Sequence, residues 1–127
     1  MTRSIAVVGA GPAGMFAVEG LLAGSEDVLV DVLERLPTPW GLVRAGVAPD
    51  HPKIKSITEK FSAILADRRV RFFGNVDVGT DLTHEELAAR YSSVIYATGA
   101  PTGRKLGVPG VGLPGCYTAA EFVGWYN

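Results

Sequence analysis

The sequence predicts a three-layer α/β domain with a central parallel sheet. Three stretches carry this expectation: a β-branched apolar run over Ser4–Val8, a helix-suited stretch from Pro12 to about Ala23, and a second apolar run over Val28–Glu34. Strand, helix and strand within about 30 residues form a βαβ unit, whose crossover is right-handed and whose strands are parallel. Continuous apolar strands are those buried on both faces, so Ser4–Val8 is expected at the centre of the sheet beside Val28–Glu34.

Each element has a local reason. Ser4–Val8 stops at Gly9 and reads as a buried strand. In the helix, Met15, Phe16, Val18, Leu21 and Leu22 supply the apolar set. Pro12 belongs in the first turn, where its missing N–H costs nothing, and Gly24 suits the C-cap. Asp31 is the one awkward polar residue inside Val28–Glu34. Leu36 to Pro52, rich in Pro and Gly and carrying Trp40 and Val43, is too long for an ordinary connection and too apolar for a linker. Trp40 either shields a bound group or packs that loop, and packing is the favoured reading. Lys53 to Arg68 is predicted as one amphipathic helix with Ile54, Ile57, Phe61, Ile64 and Leu65 on a shared face. Val70 to Val78 alternates enough for one or two strands. Thr83 with Glu86 three residues on makes a capping box for a short helix. Ser93–Thr98 is another buried strand ended by Gly99, and Thr118–Trp125 closes the chain as a helix.

Composition narrows the function classes. A chain of 127 residues fits one domain, and 47% hydrophobic residues suffice for a core. The net charge of −1 suggests no broad attraction to nucleic acid or membrane. The basic cluster Arg68-Arg69-Val70-Arg71 reads as a solvated helix end. One cysteine, Cys116, excludes an internal disulfide or a Cys-x-x-Cys redox pair, and is expected as a buried or half-buried structural thiol. No run is apolar and long enough to span a bilayer, and the chain enters its first strand within a few residues of Met1 with no signal-type leader. A cytoplasmic location is the default expectation.

Chemistry concentrates at Gly9-Ala10-Gly11-Pro12-Ala13-Gly14. A lone GxGxxG is weak, and a glycine turn without a ligand is the plain alternative. Here the motif follows a strand, opens a helix, and is followed about 20 residues on by Glu34 at the end of the next strand. Gly9 allows the tight turn, Gly11 leaves room for a pyrophosphate, and Gly14 lets helix and strand pack closely. A pyrophosphate there meets free N–H groups and the positive end of the helix dipole. Glu34 accepts hydrogen bonds from a ribose 2′-hydroxyl and repels a 2′-phosphate, which suits FAD or NAD and disfavours NADP. Arg35 as a 2′-phosphate ligand is the minor reading. The fold class is accordingly a three-layer FAD/NAD(P)-binding, Rossmann-like domain.

Beyond this loop the sequence resembles the adrenodoxin reductase-type family of ferredoxin–NADP reductases. The likeness runs through residues 34–44, ERLPTPWGLVR, then 46–53, GVAPDHPK. It continues at 74–79, GNVDVG, the family's stretch beside the adenine, and at Ala97-Thr98-Gly99-Ala100, its second glycine turn facing the FAD. Gly115-Cys116-Tyr117 and Phe122 to Asn127 resemble the crossing into the NADP domain. The resemblance covers essentially the whole chain. It implies that Ala13 and the loop glycines line the pyrophosphate and that Glu34 holds the ribose. It further implies that Leu42 and Val78 contact FAD largely through backbone, and that Gly99 lets the chain pass close to the cofactor. Taken without the family, Leu42 and Val78 are ordinary core residues.

His51, read alone, is a loop histidine near a helix start. The resemblance implies proton relay or nicotinamide positioning, which an imidazole titrating near neutrality can perform. Asp50 either caps the helix or orients His51.

Family members are several times longer. Residues 1–127 therefore correspond to the N-terminal part of the FAD-binding domain, with the NADP domain and the closing FAD segment absent. The sheet is expected to lack a strand, leaving an apolar face or edge uncovered. The implied function is the FAD-binding portion of a reductase moving electrons between NADPH and a ferredoxin-type iron–sulfur protein. The alternatives are a non-catalytic dinucleotide-binding module, or part of another flavoprotein such as a glutamate synthase-type reductase. The latter shares the glycine loop but not the Trp40-to-His51 pattern.

Overall fold

The computed structural model describes residues 2–100, 102–104 and 106–127. Four strands, β1 (Arg3–Val8), β2 (Val28–Glu34), β3 (Val70–Gly74) and β4 (Ser93–Tyr96), form one sheet in the order β3-β2-β1-β4. Every pairing is parallel, with Val7 opposite Val32 across β1 and β2, and Val8 opposite Tyr96 across β1 and β4. The two strands placed centrally from sequence are the two central strands.

The helices α1 (Pro12–Gly24) and α4 (Ile57–Leu65) cover one face. There Val7, Val30 and Val32 from the sheet meet Met15 and Val18 of α1 and Phe61 and Ile64 of α4. Removing each such side chain from water stabilises the fold by about 1.5–3 kcal/mol. Phe61 lies at the centre, edge-on to Phe16 at 5.5 Å and tilted against Trp40 at 5.7 Å. The opposite face carries a smaller cluster of Val8 and Leu33 beneath Leu87 of α5 (His84–Arg90). Leu29 and Phe73 on that side stay partly exposed, as expected of a sheet with an uncovered apolar face. Two short helices, α2 (Leu42–Ala45) and α3 (Pro52–Lys55), lie within the long Pro- and Gly-rich stretch and at its end, and α6 (Ala119–Tyr126) closes the chain. The predicted capping box forms, Glu86 closing on Thr83 at α5, and the structure adds a second, with Glu121 closing on Thr118 at α6. Among the described residues no helix is long and apolar enough to cross a membrane.

Several local expectations change. The single helix over Lys53–Arg68 is two helices meeting at Ser56. The hydroxyls of Ser56 and Thr58 donate to the Lys53 and Lys55 carbonyls at 2.8 Å each, drawing off the acceptors of the last turn of α3. Ile54 is therefore off the buried face and exposed. The second helix stops at Leu65 because Asp67 turns the chain, accepting from the Arg69 backbone N–H at 2.9 Å and from its guanidinium. That pairing holds the Asp67 carboxyl down at about 2.

Nor is the basic cluster a merely solvated end. Arg69 reaches back to the carbonyls of Leu22 and Ser25 at 3.2 and 3.1 Å, satisfying orphan acceptors at the end of α1. Arg71 grips Asp31 through two bonds of 2.7 Å, and the Tyr91 hydroxyl donates to the same carboxylate at 2.7 Å. The polar residue inside β2 is thus buried at 4% exposure with three hydrogen bonds from two partners, Arg71 and Tyr91. Burial pushes the Asp31 carboxyl up, but Arg71 and Tyr91 outweigh it and the net direction is down. Burial first, and then the Asp31 carboxylate, push the Tyr91 hydroxyl up to about 12.

The C-cap of α1 is Ser25 rather than Gly24, and β4 ends at Tyr96, with only the Ala97 N–H still bonding across to Val8. Cys116 is exposed, not buried, because the loop that carries it lies outside both apolar clusters.

Candidate functional site

A groove of about 300 Å³ opens where β1 and β2 end. Gly9, Glu34, Val78 and Gly99 border it, together with Val8, Leu33, Arg35, Val76, Asp77 and Thr98. Ligands of open parallel sheets bind at this end, beyond the carboxyl ends of the strands. Ala13 stands in the first turn of α1, exposed, and Gly11 is the N-cap. Pro12 has no N–H to offer, the cap makes no side-chain hydrogen bond, and the Met15 N–H is already bound to Gly11 O at 3.0 Å. The N–H groups of Ala13 and Gly14 remain as the helix's orphan donors, aligned with the positive end of its dipole.

The three loop glycines have different reasons. At Gly9, with φ of 105°, a Cβ would collide with the Ala97 carbonyl oxygen and lie 2.8 Å from its carbon. At Gly14 a Cβ would run into the Gly9 carbonyl oxygen, so helix and strand approach as closely as predicted. Gly11 differs: a Cβ there would meet only the Gly41 Cα, at 3.9 Å, and its φ of −77° is open to any residue. No contact among the described residues demands glycine at this position.

Glu34 ends β2 and turns its carboxylate toward the loop. Oε2 accepts from the Ala10 N–H at 2.8 Å and Oε1 from the Leu36 N–H at 3.1 Å. The carboxylate therefore ties the glycine loop to the next strand while standing in the groove wall. That second role was not foreseen from sequence, where only the spacing to the last glycine was visible. Val78 faces the groove from a short turn held by the Gly79 N–H to Leu82 O bond of 2.7 Å. Gly99 takes φ of 67° with open space around its Cα.

The other predicted residues do not border the groove: Gly11, Ala13 and Gly14 stand in the loop and first turn of α1, and Leu42 and His51 belong to the long stretch that follows β2. Leu42 begins α2 with its side chain 55% exposed, and its carbonyl accepts from the Gly46 and Val47 N–H groups. His51 caps α3 and is exposed, with Nδ1 at 2.9 Å from Asp50 Oδ1. A carboxylate oxygen in this contact accepts from a protonated Nδ1, and Nε2 is then the ring nitrogen turned away from Asp50. Asp50 thus orients the imidazole, and His51 rather than Asp50 is the cap. Trp40 is buried, as expected of a packing residue. Among the described residues no group of His, Cys, Asp and Glu could hold a metal ion.

A parallel sheet, a glycine loop opening a helix, and an acid at the end of the second strand define a FAD/NAD(P)-binding α/β domain. Comparison with known proteins narrows the class. No family model matches the chain. The NADPH-ferredoxin reductase FprA of Mycobacterium leprae is 56% identical over 128 residues, covering 97% of this chain and 28% of that protein. The mitochondrial NADPH:adrenodoxin oxidoreductase of Salvelinus fontinalis is 49% identical, covering 97% of this chain and 25% of the relative. The solved structure of Mycobacterium tuberculosis FprA in complex with NADPH superposes with a TM-score of 0.94 at 54% identity, over 98% of this chain and 29% of that one. The chain is homologous to the N-terminal part of the adrenodoxin reductase-type ferredoxin–NADP reductases, and spans under a third of their length.

Proposed function

We propose that this chain is the FAD-binding portion of a reductase that moves electrons between NADPH and a ferredoxin-type iron–sulfur protein. The observation that carries the reading is Gly11, a glycine with no internal steric reason, beside free helix-terminal N–H groups and in the same loop as Gly9, which borders a groove walled by Glu34. These features fit the adenosine and pyrophosphate half of FAD. The Ala13 and Gly14 N–H groups would donate to the pyrophosphate oxygens, assisted by the α1 dipole. Glu34 would accept from a ribose hydroxyl, while the bond from Ala10 keeps its carboxylate aimed. Backbone around Val78 and Gly99 would flank the adenosine.

FAD, when bound, supplies hydride acceptance from NADPH and single-electron delivery to an iron–sulfur partner. This chain's residues bind and orient it. The carboxylate of Glu34 disfavours the 2′-phosphate of NADPH, so NADPH is assigned to a site outside residues 1–127. His51, with Asp50 holding Nδ1, is assigned proton relay or nicotinamide positioning in the whole enzyme. Leu42 is assigned a backbone contact to FAD from the start of α2.

The test is flavin absorbance of the purified protein, followed by steady-state NADPH consumption with a ferredoxin. The chain of 127 residues is expected to show no enzymatic rate, and a longer form carrying the rest of the family's length is expected to turn over. Robust turnover by the 127-residue chain would overturn the assignment of NADPH to a separate site.

A further inference from the structure

Trp40 does not border the groove, yet its backbone is forced into the left-handed half of conformational space at φ of 92°. A bulky residue there is rare, and the strain persists only where the surroundings over-determine it. An indole can be buried from an ordinary backbone conformation, so packing against Phe61 does not by itself explain the strain. The neighbouring contacts do. The Trp40 N–H donates to the Ala10 carbonyl at 2.9 Å, and the Trp40 carbonyl accepts from the Val43 N–H at 3.1 Å, starting α2. Gly41, at φ of 51°, then presses on the glycine loop: a Cβ on it would lie 3.0 Å from Gly11 Cα and 3.7 Å from Gly11 N.

The consequence falls on Ala10, which is wholly buried. Its N–H is held by Glu34 at 2.8 Å and its carbonyl by Trp40 at 2.9 Å. A residue fixed through both backbone polar groups cannot turn, and the directions of the donors that follow, at Ala13 and Gly14, are set by it. We propose that the Trp40–Gly41 turn positions the glycine loop for a pyrophosphate, making Trp40 and Gly41 positioning residues of the dinucleotide site. The inference rests on reading that loop as the pyrophosphate site. Preorganised donors bind more tightly because no ordering is left to be done on binding.

Gly41→Ala tests it, with Gly115→Ala as the control. Gly115 shares a positive φ, 91°, but has open space around it and lies far along the chain. Two readouts are needed. In the ligand-free protein, Gly41→Ala should shift the backbone amide resonances of Gly11, Ala13 and Gly14 and speed hydrogen exchange at Trp40 and Ala10; Gly115→Ala should leave all five unchanged. In a FAD-binding form, Gly41→Ala should weaken FAD about tenfold or more and move its pyrophosphate ³¹P resonances, at a thermal stability matched by Gly115→Ala. Should Gly41→Ala fail to fold, exchange at the Trp40 and Ala10 amides of the unaltered protein substitutes, slowing on FAD addition if the turn braces the loop. Amides unmoved by Gly41→Ala, equal FAD loss in both variants, or, in that fallback, unslowed exchange overturns the positioning role. A protein that binds no FAD in any form overturns the functional reading instead, while the ligand-free amide shifts still decide the brace.

Discussion

Alanine at each of the three loop glycines separates a ligand's demand from the protein's own. At Gly14 the added methyl meets the Gly9 carbonyl oxygen, a backbone atom that cannot move aside without shifting β1 against α1. Gly14→Ala is expected to destabilise the ligand-free protein by at least about 3 kcal/mol, the upper end of ordinary overpacking. Gly9→Ala adds strain of about 1–3 kcal/mol from its φ of 105° to a collision with Ala97. Gly11→Ala meets nothing closer than 3.9 Å in an ordinary conformation. It should leave stability unchanged or raise it by up to about 1 kcal/mol, because the unfolded chain loses freedom. The same variant should lose FAD affinity by about a hundredfold or more, because the methyl enters the pyrophosphate space. Urea denaturation of the ligand-free variants and fluorescence titration with FAD give the two quantities. A Gly11→Ala protein as unstable as Gly14→Ala, or one binding FAD normally, would refute the assignment of the loop.

Further expectations concern single side chains. Glu34→Ala should weaken FAD by about 1–3 kcal/mol, the range for a hydrogen bond to a charged group, and should free the Ala10 amide to exchange; unchanged affinity would place the ribose elsewhere. The Asp31–Tyr91 contact makes stability depend on pH at both ends. The Asp31 carboxyl is held below its ordinary value, so its contribution is complete above that value and is lost as pH falls through the folded one. The Tyr91 hydroxyl is raised from 10.0 to about 12, so its contribution is complete below the former and is lost as pH rises toward the latter. Tyr91→Phe should flatten that alkaline limb in thermal melts, and a limb identical to the parent's would deny the contact. In a full-length enzyme, His51→Ala should lower NADPH-to-ferredoxin turnover about tenfold or more while FAD stays bound; an unaltered rate would leave the exposed His51–Asp50 pair a loop contact.

The sequence by itself determined the elements whose reasons are local. Apolar runs closed by Gly9 and by the acid at Glu34 made the two central strands, and Thr83 with Glu86 marked a helix start, because these signals act within a few residues. The spacing from the glycine loop to Glu34 was equally legible, since the βαβ crossover has a narrow range of lengths. Only the tertiary structure decided what lies between distant segments. It brought Arg69 to the end of α1, Arg71 and Tyr91 to Asp31, and the Trp40 N–H to Ala10. It also divided the predicted 53–68 helix at Ser56 and left Cys116 in the open. Pattern reports which faces are apolar. Which polar group finds which partner depends on how strands are ordered and how far a side chain reaches, and those are properties of the assembled sheet. Gly11 shows the division most plainly: the motif marks it as a glycine, and only the room left where its Cβ would stand shows that the rest of the chain does not require one.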